Sequence, residues 1–197
     1  MRALRGLSAV LLVLACSATA ASLQATTLLH MNLSELAGRA DKIFRGTVVE
    51  IGSGTAHVGG VDIPTVRYTL QVDESFAGEY TEVKGQRFVE IQMIGKVPPA
   101  QVGDAVRLSV LPEMPPLDKG DSYLLFTTLP SQAGLSAPVG LGQGWFRLYG
   151  DPGEEEAVNG FNNVGLFSGM SVQGMPERGP IAYTELADQI RAVLDKR

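Results

Sequence analysis

The run from Thr65 to Tyr80, TVRYTLQVDESFAGEY, constrains this chain more than any other stretch. Val66, Tyr68, Leu70 and Val72 alternate with Arg67, Thr69, Gln71 and Asp73. A period of two sends the apolar set to one side of a strand and the polar set to the other. The run closes on Phe76, Ala77 and Gly78, a bulky anchor followed by a turn. Apolar strand patterns lie on both sides of it in sequence. The expectation is therefore a central strand of an antiparallel sheet with one wet face.

The preceding strand spans Asp41 to Ile51, with Ile43, Thr47, Val49 and Ile51 on one face and Phe44, Val48 and Glu50 on the other. Gly52 to Pro64 (GSGTAHVGGVDIP) reads as a long, glycine-rich hairpin loop. Arg87 to Ile94 is a third strand that puts Val89, Ile91 and Met93 on one side. Lys96 to Lys119 carries five prolines (Pro98, Pro99, Pro112, Pro115 and Pro116) around a short edge strand at Val106, Leu108 and Val110. Gly120-Asp121 turns into Ser122 to Thr128, a nearly continuous apolar strand buried on both faces. Gly140 to Gly150 is a further strand, with Phe146 and Leu148 inward and Trp145 in the core or serving as a carbohydrate platform. Asp151-Pro152-Gly153 is a turn signal, and another strand follows near Ala157 to Phe167.

Two helices frame these strands. Met31 to Ala40 has Asn32 as N-cap and Glu35 three residues later, the pattern of a capping box. At the other end, Tyr183, Leu186, Ile190, Val193 and Leu194 recur three and four apart, with Thr184 as the candidate cap. A mostly β fold results: a small antiparallel OB-like barrel, or a sandwich, with a short N-terminal helix and a C-terminal amphipathic helix.

Residues 1–25 contain no acid. Arg2 and Arg5 precede the apolar run Gly6 to Ala15, which is too short to span a bilayer and suits a signal-peptide core. Ala18-Thr19-Ala20 offers cleavage after residue 20. Val13-Leu14-Ala15-Cys16 is similar to a bacterial lipobox, which would place the cut after residue 15 and acylate Cys16. The division expected is a signal peptide at 1–20 (or a lipoprotein signal at 1–15), a disordered segment at 21–30, and one β-barrel domain at 31–197. Apart from Cys16 the chain has no cysteine, so disulfides and thiolate chemistry are absent from the folded part. A domain of about 170 residues can rely on its own core, burying on the order of 70% of the unfolded surface.

Without Arg2 and Arg5, 14 basic residues face 21 acidic ones, a formal charge of −7. That balance disfavours phosphate backbones and anionic lipid, so neither nucleic acid nor membrane is an expected partner, unless an acylated Cys16 supplies an anchor.

RADKIFRGTVVEI, YTLQVDESFAG, KGDSYLLF and GLGQGWFRL together resemble a group of exported bacterial proteins. Their layout is similar to the OB-like barrel of netrin and TIMP modules. The resemblance covers roughly residues 37–148 and rests on fold motifs without catalytic residues. TIMP modules inhibit metalloproteinases through a disulfide-held N-terminal cysteine, and that mechanism does not carry over to a chain without disulfides.

The residues offer little catalytic chemistry. His30 and His57 are the two histidines, and neither sits in a hydrolase or metalloprotease motif. Gly140, Gly142 and Gly144 continue as a strand rather than opening a helix, so bending or close packing explains them better than a nucleotide. Asp151, Glu154, Glu155 and Glu156 lack calcium-loop spacing and read as a solvated acidic tip. Asn32-Leu33-Ser34 is a chance glycosylation sequon. No catalytic set, cofactor or metal site is expected.

The loops remain as candidate binding elements, marked by His57 and Asp62 in one and by Pro115 and Asp118 in the other. The reading is an exported, non-catalytic binding module of the cell envelope whose partner is a protein or envelope component. Two alternatives stay open: a hydrolase using Asp73, Glu74 and Glu90, and a structural lipoprotein.

Overall fold

Two seventeen-residue strands, β1 (Lys42–Val58) and β2 (Val61–Ala77), pair antiparallel along their whole length and form the spine of the fold. The computed structural model describes residues 29–94 and 116–197. Around the spine lie β3 (Thr81–Val83), β4 (Gln86–Ile94), β5 (Ser122–Thr127), β6 (Trp145–Tyr149), β7 (Glu156–Asn159) and β8 (Ile181–Ala182). They make one eight-stranded antiparallel sheet in the order β3-β4-β2-β1-β5-β6-β7-β8. Helices α1 (Leu33–Arg39) and α2 (Tyr183–Leu194) stand at its two ends in sequence. The fold is thus mostly β, and the described pairings leave the sheet open, without a ladder joining its two edges.

The alternation of β2 holds. Val66, Tyr68, Leu70 and Val72 are buried, while Arg67 and Asp73 are exposed and Thr69 and Gln71 half-buried. The strand is central, flanked by β1 and β4. On β4, Val89, Ile91 and Met93 are buried as expected.

The largest departure from expectation is Gly52 to Pro64, which is not a loop. Pairing continues from Gly52↔Arg67 through His57↔Asp62 to Val58↔Val61. Only Gly59 and Gly60 turn, with φ of +59° and +84°. A two-residue hairpin loop of this kind needs positive φ at both central positions, which two glycines supply without a Cβ penalty. The other glycines, Gly52 and Gly54, lie within the strand among β-compatible Thr55, Val58, Val61 and Ile63.

The faces of β1 also differ from a simple alternation. Its register against β2 shifts at Ile43/Phe44, Arg45/Gly46 and Val48/Glu50. A bulge inserts one residue and reverses the parity beyond it. Ile51 therefore sits opposite buried Tyr68, on the face of Val48, and Glu50 sits opposite Thr69 on the polar face.

The core has two parts, one on each face of the sheet. In the first, α1 and α2 cover Ile43, Leu124, Phe126, Phe146, Leu148 and Ala157. In the second, Phe44, Leu70, Ile91, Tyr123, Leu125 and Trp145 pack with Leu117. Strand β5 is buried on both faces, because alternate residues enter different clusters. Trp145 takes the core fate, tilted against Tyr123 with ring centroids 5.5 Å apart.

The capping box of α1 is present: Asn32 Oδ1 accepts from the Glu35 N–H at 3.0 Å, and the Glu35 side chain accepts from the Asn32 N–H at 2.9 Å. Helix α2 buries Tyr183, Leu186, Ile190 and Val193, but Thr184 does not cap it. The chain enters straight from β8, and Ala182 occupies the cap position without a side-chain bond. The strand expected from Gly140 begins only at Trp145. Leu141–Gln143 form a 3-10 turn, and a Cβ on Gly144 would lie 2.5 Å from the Val139 carbonyl. The strand expected to reach Phe167 stops at Asn159, whose side chain accepts from the Phe161 and Asn163 N–H groups and starts a series of turns.

Candidate functional site

The β1–β2 arm takes its shape from where its neighbours end. Among the described residues, β4 pairs with β2 as far as Thr65↔Ile94, and β5 with β1 as far as Thr47↔Ser122. One more contact extends the second ladder: the Val48 N–H donates to the Asp121 carbonyl, and the Gly120 N–H to the Val48 carbonyl. Beyond these points no described strand flanks the hairpin, in which Ala56 is nonetheless buried. At its end Val58 and Val61 face each other across the turn, 42% and 63% exposed.

Two of the expected binding residues, His57 and Asp62, meet next to this tip. They are cross-strand partners, with His57 Nδ1 2.9 Å from Asp62 Oδ1 and both side chains largely exposed, at 69% and 74%. Asp118 stands elsewhere, at the turn that leads into β5. Its N–H donates to the Tyr123 hydroxyl at 2.9 Å, and its carboxylate lies 3.8 Å from Arg147. Arg147 bonds Asp121 more closely, and that contact holds its guanidinium above the ordinary value. Pro115, Cys16 and the edge strand at Val106–Val110 lie outside the described residues.

The carboxylates considered for hydrolysis each engage a different partner. Asp73 accepts from Thr47 Oγ1 at 2.8 Å, and Thr47 is 2.9 Å from Ser122 Oγ. Glu90 lies 3.8 Å from Arg67. Glu74 accepts from the Tyr183 hydroxyl at 2.6 Å and also bonds Arg191.

Glu74 belongs to a network that sequence reasoning missed. Arg45 of β1 bonds Glu155 at 2.6 Å, and its guanidinium carbon sits 4.8 Å from the centre of the Tyr183 ring. Burial works against the charge on Arg45, yet the bond and charge of Glu155 outweigh it and raise the guanidinium. Burial likewise works against Glu155, and the Arg45 bond with the Gly153 N–H pulls it below the ordinary carboxyl value. Burial pushes the Tyr183 hydroxyl up, and Glu74 adds to the rise. Glu155 therefore departs from the solvated acidic tip, because it alone of that run points back to the sheet. No sequence signal links residues 110 positions apart.

A second missed cluster is fully buried and polar. Asn163 Nδ2 donates to the Ala157 and Gly179 carbonyls, and its Oδ1 accepts from the Asn159 N–H. Gln143 grips the incoming chain: its Oε1 accepts from the Met31 N–H at 2.7 Å, and its Nε2 donates to the Leu29 carbonyl at 3.1 Å. His30, between them, packs edge-on against Phe161. Asn32 spends its side-chain amide on the helix cap and on the Ser168 carbonyl, which leaves the sequon asparagine engaged.

Among the described residues, no three of histidine, cysteine, aspartate and glutamate gather as a metal site, and no helix is long and apolar enough to cross a membrane. Compared with known family models, curated protein sequences and solved structures, the chain matches none.

Proposed function

We propose that this chain is an exported, non-catalytic binding module of the bacterial cell envelope, built on an OB-like barrel, that engages a protein or envelope component through the β1–β2 arm. The observation that carries this reading is the arm itself. Its valine-tipped, polar-flanked end extends past the last described pairs of β4 and β5. The carboxylates that a hydrolase would need are instead divided among Thr47, Arg67 and the Tyr183–Arg191 pair, which favours binding over that alternative.

The barrel reading draws on the curl of the sheet. The connection between β5 and β6 reaches β4, where the Ser136 N–H donates to the Gln92 carbonyl at 3.0 Å. Val89, Ile91 and Met93 of β4 also share a core with Tyr123, Leu125 and Trp145, three and four strands away. Such curvature is what an OB-like layout requires. Export draws on Arg2, Arg5 and the apolar run at 6–15. Mass spectrometry of the mature N-terminus separates cleavage after residue 20 from an acylated Cys16.

Photo-crosslinking in the native envelope tests the binding reading. A crosslinker at Val61 should capture a discrete partner that one at Val164, exposed on a loop elsewhere, does not. Equal capture from both positions, or none from Val61, would contradict it.

A further inference from the structure

Gln92 ties the arm to a strand with which it does not pair. It lies on β4 opposite Arg67 of β2, yet its Nε2 donates to the Thr65 hydroxyl at 2.9 Å and to the Thr55 carbonyl of β1 at 3.1 Å. The amide therefore crosses β2 and rests over Gly54. A Cβ on Gly54 would lie 2.7 Å from Thr65 Oγ1 and 3.3 Å from Gln92 Nε2. Gly54 has no left-handed φ, so room for this contact, and not backbone freedom, calls for glycine there.

The ladder explains why the Thr55 carbonyl takes a side-chain donor. In a two-residue hairpin the pair that flanks the turn, here Val58↔Val61, is hydrogen-bonded, and bonded and non-bonded pairs alternate from it. The register is unbroken back to Gly52, which makes Thr55↔Pro64 a non-bonded pair. Its backbone groups turn away from the ladder, so proline fits at 64 without losing a bond and the Thr55 carbonyl takes none from β2. The Gln92 amide supplies one, beside a Thr65 that is fully buried. The Ser136 N–H in turn donates to the Gln92 carbonyl at 3.0 Å, which fixes this residue of β4 to the connection between β5 and β6.

We infer that Gln92 is the positioning residue of the arm: its amide clasps β1 at Thr55 and holds the valine tip in one direction relative to the sheet. A hairpin alone is marginally ordered in water, and a partner that had to order it would bind more weakly. The inference rests on the binding reading for its consequence, and it adds what presets the arm.

The test combines backbone amide order parameters at Val58 and Val61 with capture by a crosslinker at Val61 in the native envelope. Gln92→Glu keeps the size of the side chain but cannot donate, whereas Gln92→Lys keeps a donor of similar reach. Wild type and Gln92→Lys should give order parameters of about 0.85 at both valines and Gln92→Glu below about 0.6, with Val89 and Ile91 of β4 unchanged. Capture should fall about tenfold in Gln92→Glu and hold in Gln92→Lys. Gly54→Ala crowds the amide from the other strand and should reproduce the glutamate result, which keeps the test decisive if Gln92→Glu fails to fold. Unchanged order at the tip in these two variants, an equal loss in Gln92→Lys, or a loss that spreads through β4 overturns the inference. So does undiminished capture from a tip that has lost its order. Absence of capture from Val61 in wild type would contradict the binding reading alone, and the order parameters would still decide the clasp.

Discussion

Tyr183 donates its hydroxyl to Glu74 Oε2 at 2.6 Å, so the first residue of the C-terminal helix is bonded to the central strand 109 positions earlier. The bond completes a seam that Arg45 and Glu155 begin on the neighbouring strand. Apolar burial brings α2 to the sheet, and this seam fixes where along the sheet its first turn rests.

Tyr183→Phe keeps the ring, its burial and its contact with Arg45 while removing the donor to Glu74. The expected loss is about 1–2 kcal/mol of unfolding free energy, because the bond joins a hydroxyl to a carboxylate. Urea denaturation measures it. Arg67→Ala, which breaks an exposed pair with Glu90, should stay within about 0.5 kcal/mol of wild type in the same assay.

The Arg45–Glu155 pair sets a pH dependence of definite sign. The Glu155 carboxyl is held below its ordinary value in the folded protein. Its stabilisation is therefore complete above the unfolded glutamate value of about 4.3 and is lost as pH falls through the folded value. Glu155→Gln should cost about 1–2 kcal/mol at pH 7. That gap should narrow below about pH 4 and vanish once wild-type Glu155 is protonated, as read by denaturation curves at a series of pH values.

What was legible in the sequence was local. The β2 alternation, the Asn32–Glu35 box and the Leu186–Ile190–Val193 stripe each repeat within a few residues, and all three hold. What escaped depended on tertiary context. Ile51 changed faces because a bulge at Val48/Glu50 shifts the register, and a bulge leaves no fixed mark in one sequence. Gly59-Gly60 is a turn signal hidden among other glycines, so in sequence the strands on both sides have the look of a loop. Of the expected site, His57 and Asp62 meet as cross-strand partners, but they do so on strands, and Asp118 belongs to a different turn.

Gln143→Ala leaves the Met31 N–H and Leu29 carbonyl without their partner and empties a buried position. The expected cost is about 2–3 kcal/mol. Hydrogen exchange should also quicken at Met31 and at the start of α1, a local signature that a cavity elsewhere in the core would not produce.

At the tip, Gly60→Ala meets no atom within 4 Å but must keep a left-handed φ of +84°. The expected cost is about 1 kcal/mol. Gly59→Asn should cost less, since asparagine tolerates that conformation. Thermal melts of the two variants provide the comparison.

The most direct measurement is the pattern of cross-strand nuclear Overhauser contacts through residues 52–64. An ordered arm predicts contacts between Ser53 and Val66 and between His57 and Asp62, with extended-strand chemical shifts on both sides of Gly59-Gly60. Random-coil shifts across 52–64, with no contacts between its two halves, would contradict it, leaving no ordered arm on which a partner could dock.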